Sequence, residues 1–81
     1  MDIVEIYESL KGKEIPCFVR DKDGFLKEGV GTVCGYQQEW LILGFKNKEN
    51  GCVKEFSDHV FVDNRDYASY RFWNIKHLNK E

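Results

Sequence analysis

The chain has little of what marks several protein classes: it holds one proline and three cysteines in 81 residues, and no long apolar run. A membrane-spanning helix needs about 20 consecutive apolar residues, and a secretory leader needs a basic segment ahead of an apolar one. The chain begins instead with acidic residues among its first aliphatic ones. We therefore expect a cytoplasmic protein with no membrane association.

Neither charge nor cysteine indicates a particular ligand. The formal net charge of −2 is too small to attract nucleic acid through bulk charge. Cys17, Cys34 and Cys52 each fall in a strand-like stretch, unlike the cysteines of a disulfide framework. Free cysteine is among the most buried residue types, so we expect buried thiols in one small domain, residues 1–81.

No pattern of side chains predicts catalysis or a metal. His59 and His77 could join a cysteine at a zinc ion, but the chain has no Cys-x-x-Cys or His-x3-His spacing. Nothing is placed to orient a Cys52–His59 pair as a nucleophile and base. One connector holds a group of acids: Asp58, Asp63 and Asp66. Loops are generally polar and Arg65 lies among these acids, so we interpret them as solvated local pairs. We predict a protein that is not an enzyme and that needs no cofactor and no metal.

The first residues predict a short helix over about 3–11. Apolar residues repeat at helical spacing from Ile3 to Leu10, and Gly12 follows them. Asp2 and Glu5 stand in the N-cap and N3 relation of a capping-box variant.

Strand patterns occupy most of the remaining chain. Residues 14–20 and 25–36 predict two strands joined by the Asp23-Gly24 turn, and the unbroken apolar run 40–45 predicts a strand covered on both sides. Asn50-Gly51 predicts another tight turn. Residues 70–78 favour a last strand, although the apolar spacing there also fits a helix.

The most distinctive segment is 29–35, where strict alternation would place three glycines on one face of the strand. Glycine inside a strand packs no side chain, and it is tolerated where a sheet bends or where another backbone approaches closely. No helix start follows, which excludes a phosphate-binding loop. We therefore expect a strongly curved sheet, with a small barrel as the leading fold.

A short helix followed by about five strands with tight turns resembles the SH3-like small barrels, which include the Sm-like proteins. The segments that carry the resemblance are 10–15, 18–20, 23–24, 31–36, 41–43 and 71–76. They are similar to that family's Gly-Lys opening, its Gly-x-hydrophobic-x-Gly-aromatic strand and its arginine-containing segment before the last strand. The resemblance implies a mainly β, five-stranded SH3-like (Sm-like) barrel at about 14–78.

Aromatic residues provide the candidate binding site. Flat rings give large contact area at little entropic cost, which suits protein contacts and stacking on nucleic acid, although such rings also fill small cores. The partner-binding candidates are Tyr36, Trp40, Tyr70, Arg71 and Trp73. We predict a non-catalytic binding module that acts through protein–protein contact, as an adaptor, an accessory subunit or an inhibitor of a larger machine, a nucleic-acid enzyme included.

The resemblance also implies an alternative, an Sm-like RNA-binding subunit that forms an oligomer and uses Tyr36 and Arg71 around a pore. Family members that bind RNA usually carry Asp and then Asn in the loop after the Gly-aromatic pair. This chain has Gln37, Gln38 and Glu39 there instead. The possible partners are therefore a different protein or, as alternatives, RNA or a second copy of this chain.

Overall fold

A computed structural model describes the chain at residues 2–21, 23–46, 60–63 and 66–79. Its elements are α1 (Ile3–Leu10), β1 (Glu14–Arg20), β2 (Leu26–Gln37), β3 (Trp40–Phe45), β4 (Phe61–Val62), β5 (Ser69–Asn74) and a 3-10 helix (Ile75–Asn79). The strands form one antiparallel sheet in the order β1-β2-β3-β5, and β4 pairs with β2. A mainly β protein with one short helix before five strands is therefore confirmed.

Helix α1 forms where it is predicted and ends as glycine signals predict. The Lys11 N–H donates to the Tyr7 carbonyl over 2.7 Å, and Gly12 follows with a φ of 80°. The expected capping box does not form, because Asp2 at the N-cap position makes no side-chain hydrogen bond. Asp2 contributes through its backbone, whose carbonyl accepts from the Ile6 N–H at 3.1 Å.

Strands β1 and β2 form a hairpin in which every residue of β1 has a partner on β2. The Asp21 carboxylate organises the turn, since it accepts the N–H groups of Asp23 at 2.9 Å and Phe25 at 3.0 Å. Gly24 supplies the positive φ, 85°, that the turn requires. The Asp-Gly turn is thus confirmed, with an additional side-chain bridge.

Strand β2 does not alternate strictly along its length. Its ladder to β3 shifts by one residue between Val33 and Gly35, which is a β-bulge. Val33 lies opposite Leu43, whereas Gly35 lies opposite Ile42, the next residue of β3. Val33 and Gly35 therefore face opposite sides of the sheet. The expectation that three glycines share one face is wrong, because Gly31 lies on the Val33 side.

Apolar clusters cover both faces of the sheet. The larger cluster joins α1 to β1, β2 and β3: Ile6, Tyr7, Val19, Val33, Leu41, Leu43 and Phe45. The smaller cluster lies on the other face: Cys34, Ile42, Val60 and Tyr70. The middle of β3 contributes to both, and Leu41, Ile42 and Leu43 have no exposed surface. Residues 41–45 of the apolar run are thus covered on both sides, as predicted, whereas Trp40 at its start is exposed.

The sheet is not closed, since no strand pairing joins its outer strands β1 and β5 within the described ranges. The two edges nevertheless approach each other, because the Arg71 guanidinium on β5 donates a hydrogen bond to the Phe18 carbonyl on β1. The sheet therefore curls around the larger cluster. A closed barrel is not confirmed.

The predicted last strand, 70–78, forms only in part. The chain leaves β5 after Asn74 because the side-chain oxygen of that residue accepts the Lys76 N–H at 2.8 Å and starts the 3-10 helix. Other residues singled out from the sequence lie outside the described ranges: the Asn50-Gly51 turn, Cys52, Asp58, His59 and Arg65.

Candidate partner-binding surface

The register of the sheet distributes the candidate residues over both of its faces. Tyr36, Leu41 and Trp73 lie side by side on three neighbouring strands, so Tyr36 and Trp73 both face the larger cluster. Trp40 and Tyr70 lie on the opposite face, because they alternate with those positions along β3 and β5. The candidates therefore do not form one continuous patch.

Tyr70 belongs to the core. It is 6% exposed, and its ring meets the Tyr67 ring edge to face at 6.1 Å. Tyr70 lies opposite Gly44, where a Cβ would come within 2.5 Å of the Tyr67 ring. The absence of a side chain at Gly44 thus lets the Tyr67 ring cover β3. Tyr70 therefore presents little surface to a partner in this conformation.

Tyr36 is half-buried in a cluster of three rings. Its centroid lies 5.0 Å from that of Tyr7 and 5.2 Å from that of Phe61, and the Tyr7 and Phe61 centroids are 5.4 Å apart. The Tyr7 hydroxyl donates to the Asp63 carboxylate. Burial first, and then this carboxylate, raise the pKa of Tyr7 above its usual range. The cluster thus attaches β4 to α1 and β2.

Trp73 and Arg71 are also engaged within the molecule. Trp73 packs against the larger cluster, and its ring lies 5.2 Å from the His77 ring. The Arg71 guanidinium donates a hydrogen bond to the Phe18 carbonyl. Both side chains are half-buried, so Trp40 is the most exposed of the five candidates.

Trp40 forms a shallow cleft with three neighbours. Its side chain is 37% exposed at the start of β3, and together with Gln37, Gln38 and Phe72 it lines a volume of about 360 Å³. We call this surface the Trp40 cleft. Two aromatic rings make it apolar, and two amide groups supply both hydrogen-bond donors and acceptors. Its four lining residues carry no charge.

The turn beside this cleft holds Gln38 in an unfavourable conformation. Gln37 pairs with Trp40, so Gln38 and Glu39 form a two-residue turn between β2 and β3. Gln38 has a φ of 53°, a region that costs a side-chain-bearing residue about 1–2 kcal/mol. The Glu39 carbonyl accepts the Ile75 N–H at 3.0 Å, which attaches the turn to the 3-10 helix.

Gln37, Gln38 and Phe72 line the cleft but are not among the candidates predicted from the sequence. A polar two-residue break between two strands is the signal that could have identified Gln38. Hairpin turns of this length favour glycine, and this turn contains none. No local signal marks Phe72, since it reaches the cleft only through the pairing of β5 with β3.

Within the described ranges, the remaining chemistry-bearing groups form no metal-binding cluster. Cys34 is a buried thiol, as expected, and its sulfur lies 3.6 Å from the Ile42 carbonyl oxygen. Burial, and then the charge of Asp63, raise the pKa of Cys34 to about 12. Cys17 is only half-buried. The described part of the chain contains no group of three or more His, Cys, Asp or Glu side chains that could hold a metal ion.

No protein-family model, no curated protein and no solved structure matches this chain. Within the ranges that the structure describes, no helix is long and apolar enough to cross a membrane.

Proposed function

We propose that the protein is a non-catalytic binding module that holds a protein partner in the Trp40 cleft, as an adaptor, an accessory subunit or an inhibitor in the cytoplasm. The observation that carries the proposal is Gln38, an exposed glutamine held at a position that glycine would occupy at lower cost. Unfavourable backbone conformations concentrate at binding sites, where the side chain compensates for them by its function.

The chemistry of the cleft favours a protein segment as its ligand. Trp40 and Phe72 offer flat apolar area, and aromatic residues of this kind are enriched among the residues that dominate protein interfaces. The amides of Gln37 and Gln38 could orient a peptide backbone, which presents both N–H and carbonyl groups. A volume of about 360 Å³ suits a short segment of the partner rather than a whole helix.

Charge argues against a nucleic-acid backbone at the same place. Phosphate groups are bound mainly by lysine and arginine, and none lines the cleft. The nearby Lys76 ammonium lies 4.0 Å from the Glu39 carboxylate, which reduces its local positive charge. We propose a curled, SH3-like small barrel as the scaffold. In folds of that kind, loops between strands commonly form the binding surface, and the comparison with this protein is by analogy of fold.

The test compares two exposed apolar residues. Wild type, Trp40→Ala and the control Val4→Ala would each be used for affinity capture, and captured proteins would be retested as purified pairs by calorimetry. Val4 is 40% exposed on α1, similar to the 37% of Trp40. We expect Trp40→Ala to lower the affinity for a true partner by about 30-fold or more, as loss of a central interface tryptophan does. Val4→Ala should leave this affinity unchanged.

Fluorescence gives an independent readout of the same site. Trp73→Phe leaves Trp40 as the only tryptophan, so partner binding should change its emission. A partner that binds Trp40→Ala as tightly as wild type would contradict the proposal. Anisotropy with labelled single-stranded RNA and DNA should show no binding, and binding that weakens steeply with salt would favour the Sm-like alternative instead.

A further inference from the structure

The outer face of the β1–β2 hairpin is a second exposed apolar surface, separate from the Trp40 cleft. Directly opposed residues of an antiparallel ladder point to the same side. Three such pairs form what we call the hairpin face: Pro16 with Val30, Phe18 with Glu28, and Arg20 with Leu26. Phe18 and Leu26 are each 60% exposed and Val30 is 49% exposed. Several large apolar side chains thus face solvent together.

The edge of β1 is protected while its face is open. Pro16 has no N–H to offer to an added strand, and the Phe18 carbonyl already accepts the Arg71 guanidinium. Both features discourage another chain from extending the sheet at this edge. An occupant of this region would therefore cover the face, where Phe18 and Val30 are exposed, rather than add a strand to it.

The hairpin face is complementary to itself in charge. Phe18 and Val30 of this face line a hollow of about 330 Å³. Arg20 and Glu28 carry opposite charges on the same face. Two copies related by a twofold axis present identical surfaces to each other. Each contact between them therefore needs both of its residues, for example a cation and an anion, on the same surface. A net charge of −2 opposes such association only weakly.

We propose that two copies of this chain associate through their hairpin faces, with Arg20 of each copy facing Glu28 of the other. Arg20 has capacity for this contact, because one of its nitrogens donates to the Gly24 carbonyl at 2.7 Å and the guanidinium has further N–H groups. The dimer would leave both Trp40 clefts outside the interface and so present two binding sites.

The size of the face predicts a weak dimer. A ladder of this length is about 23 Å long and about 10 Å wide across two strands, or about 230 Å² in projection, so it offers less than about a third of the ~800 Å² per partner of a standard interface. Dimers should therefore form in a concentration-dependent way. Sedimentation velocity from about 5 to about 500 µM covers the range expected for interfaces of this class.

Apolar variants locate the interface. Phe18→Gln and Leu26→Gln should each weaken dimerisation by about tenfold or more, while Val4→Gln, at an exposed apolar residue of α1, should not. The circular dichroism spectrum and the urea midpoint of each variant would verify folding, which these exposed positions should preserve. A wild type that stays monomeric throughout the range, or a Phe18→Gln variant that dimerises like wild type, would overturn the proposal.

Charge variants test the contact between copies. Arg20→Glu and Glu28→Arg, each alone, place like charges against each other across the twofold axis and should weaken the dimer. An equal mixture of the two variants should restore association, because each acidic face then meets a basic one. Recovery on mixing can come only from a contact between copies, because no contact within one chain can produce it. Failure to recover would refute the pairing of Arg20 with Glu28.

Discussion

Replacing Gly35 by alanine should release β4 from the sheet. Gly35 pairs with Ile42 of β3 on one side and with Val62 of β4 on the other. A Cβ at this position would lie 2.1 Å from the carbonyl oxygen of Phe61, which is backbone and cannot move by rotamer change. The clash can therefore be relieved only when β4 and β2 separate.

The cost of this separation follows from the groups that it exposes. Val60 is 7% exposed in the native protein, and uncovering an aliphatic side chain of this kind costs about 1.5–3 kcal/mol. The hydrogen bond from the Asp63 N–H to the Cys34 carbonyl, 2.7 Å long, adds about 0.5–1.5 kcal/mol. Alanine recovers about 0.5–1 kcal/mol through the entropy of the unfolded chain. We expect Gly35→Ala to lower the free energy of unfolding by about 1–4 kcal/mol, the range that these contributions span.

Urea denaturation followed by circular dichroism measures this loss, and Gly29→Ala is the matched control. A Cβ at Gly29 would meet the Val19 methyl groups at 3.0 and 3.4 Å, and a side chain can adjust where a backbone cannot. Gly29→Ala should therefore change the free energy of unfolding by less than about 1 kcal/mol. Equal stability of the two variants would refute the assignment of β4 to this edge of β2.

Three further predictions concern single side chains. Gln38→Gly should raise the free energy of unfolding by about 1 kcal/mol in urea, because it relieves the positive φ, whereas Gln38→Ala should give no gain. Tyr7→Phe should cost about 1.5–3 kcal/mol at pH 7 through loss of the bond to Asp63, and a double-mutant cycle with Asp63→Asn should show that the two changes are not additive. Cys34 holds its proton more tightly when folded, so its contribution to stability should be complete below about pH 9 and decline as the pH rises towards 12. Urea midpoints across this range should fall less steeply for Cys34→Ala than for wild type.

The parts of the fold that could be predicted from the sequence depend on local patterns. The alternation of residues 14–20 matches β1, Glu14–Arg20, and the apolar run 40–45 matches β3, Trp40–Phe45. The last strand ends early because the Asn74 side chain captures a backbone N–H, which apolar periodicity does not show. Whether a curled sheet closes into a barrel depends on contacts between distant segments, and no local pattern determines them.

The candidate site could be predicted from the sequence only as far as the exposure of its aromatic side chains could be predicted. Trp40 stands beside a polar turn, and the structure leaves it exposed there. Tyr70 has the same residue chemistry, yet it is buried because the register places it opposite Gly44 and under the Tyr67 ring. The exposure of an aromatic side chain in a small sheet is thus decided by its pairing partner rather than by its neighbours in sequence.

The bulge in β2 links these observations. From Val33 to Tyr36 the chain takes three steps while β3 takes two, from Leu43 to Leu41, so Tyr36 returns to the face that Val33 occupies. With strict alternation Tyr36 would point away from α1 and could not contact the Tyr7 ring. One additional residue in the strand thus permits the aromatic cluster that attaches β4. The same shift turns Gly35 to the face opposite Val33. The sequence does not predict this arrangement, because strict alternation and the shifted register both place small or apolar residues on each face.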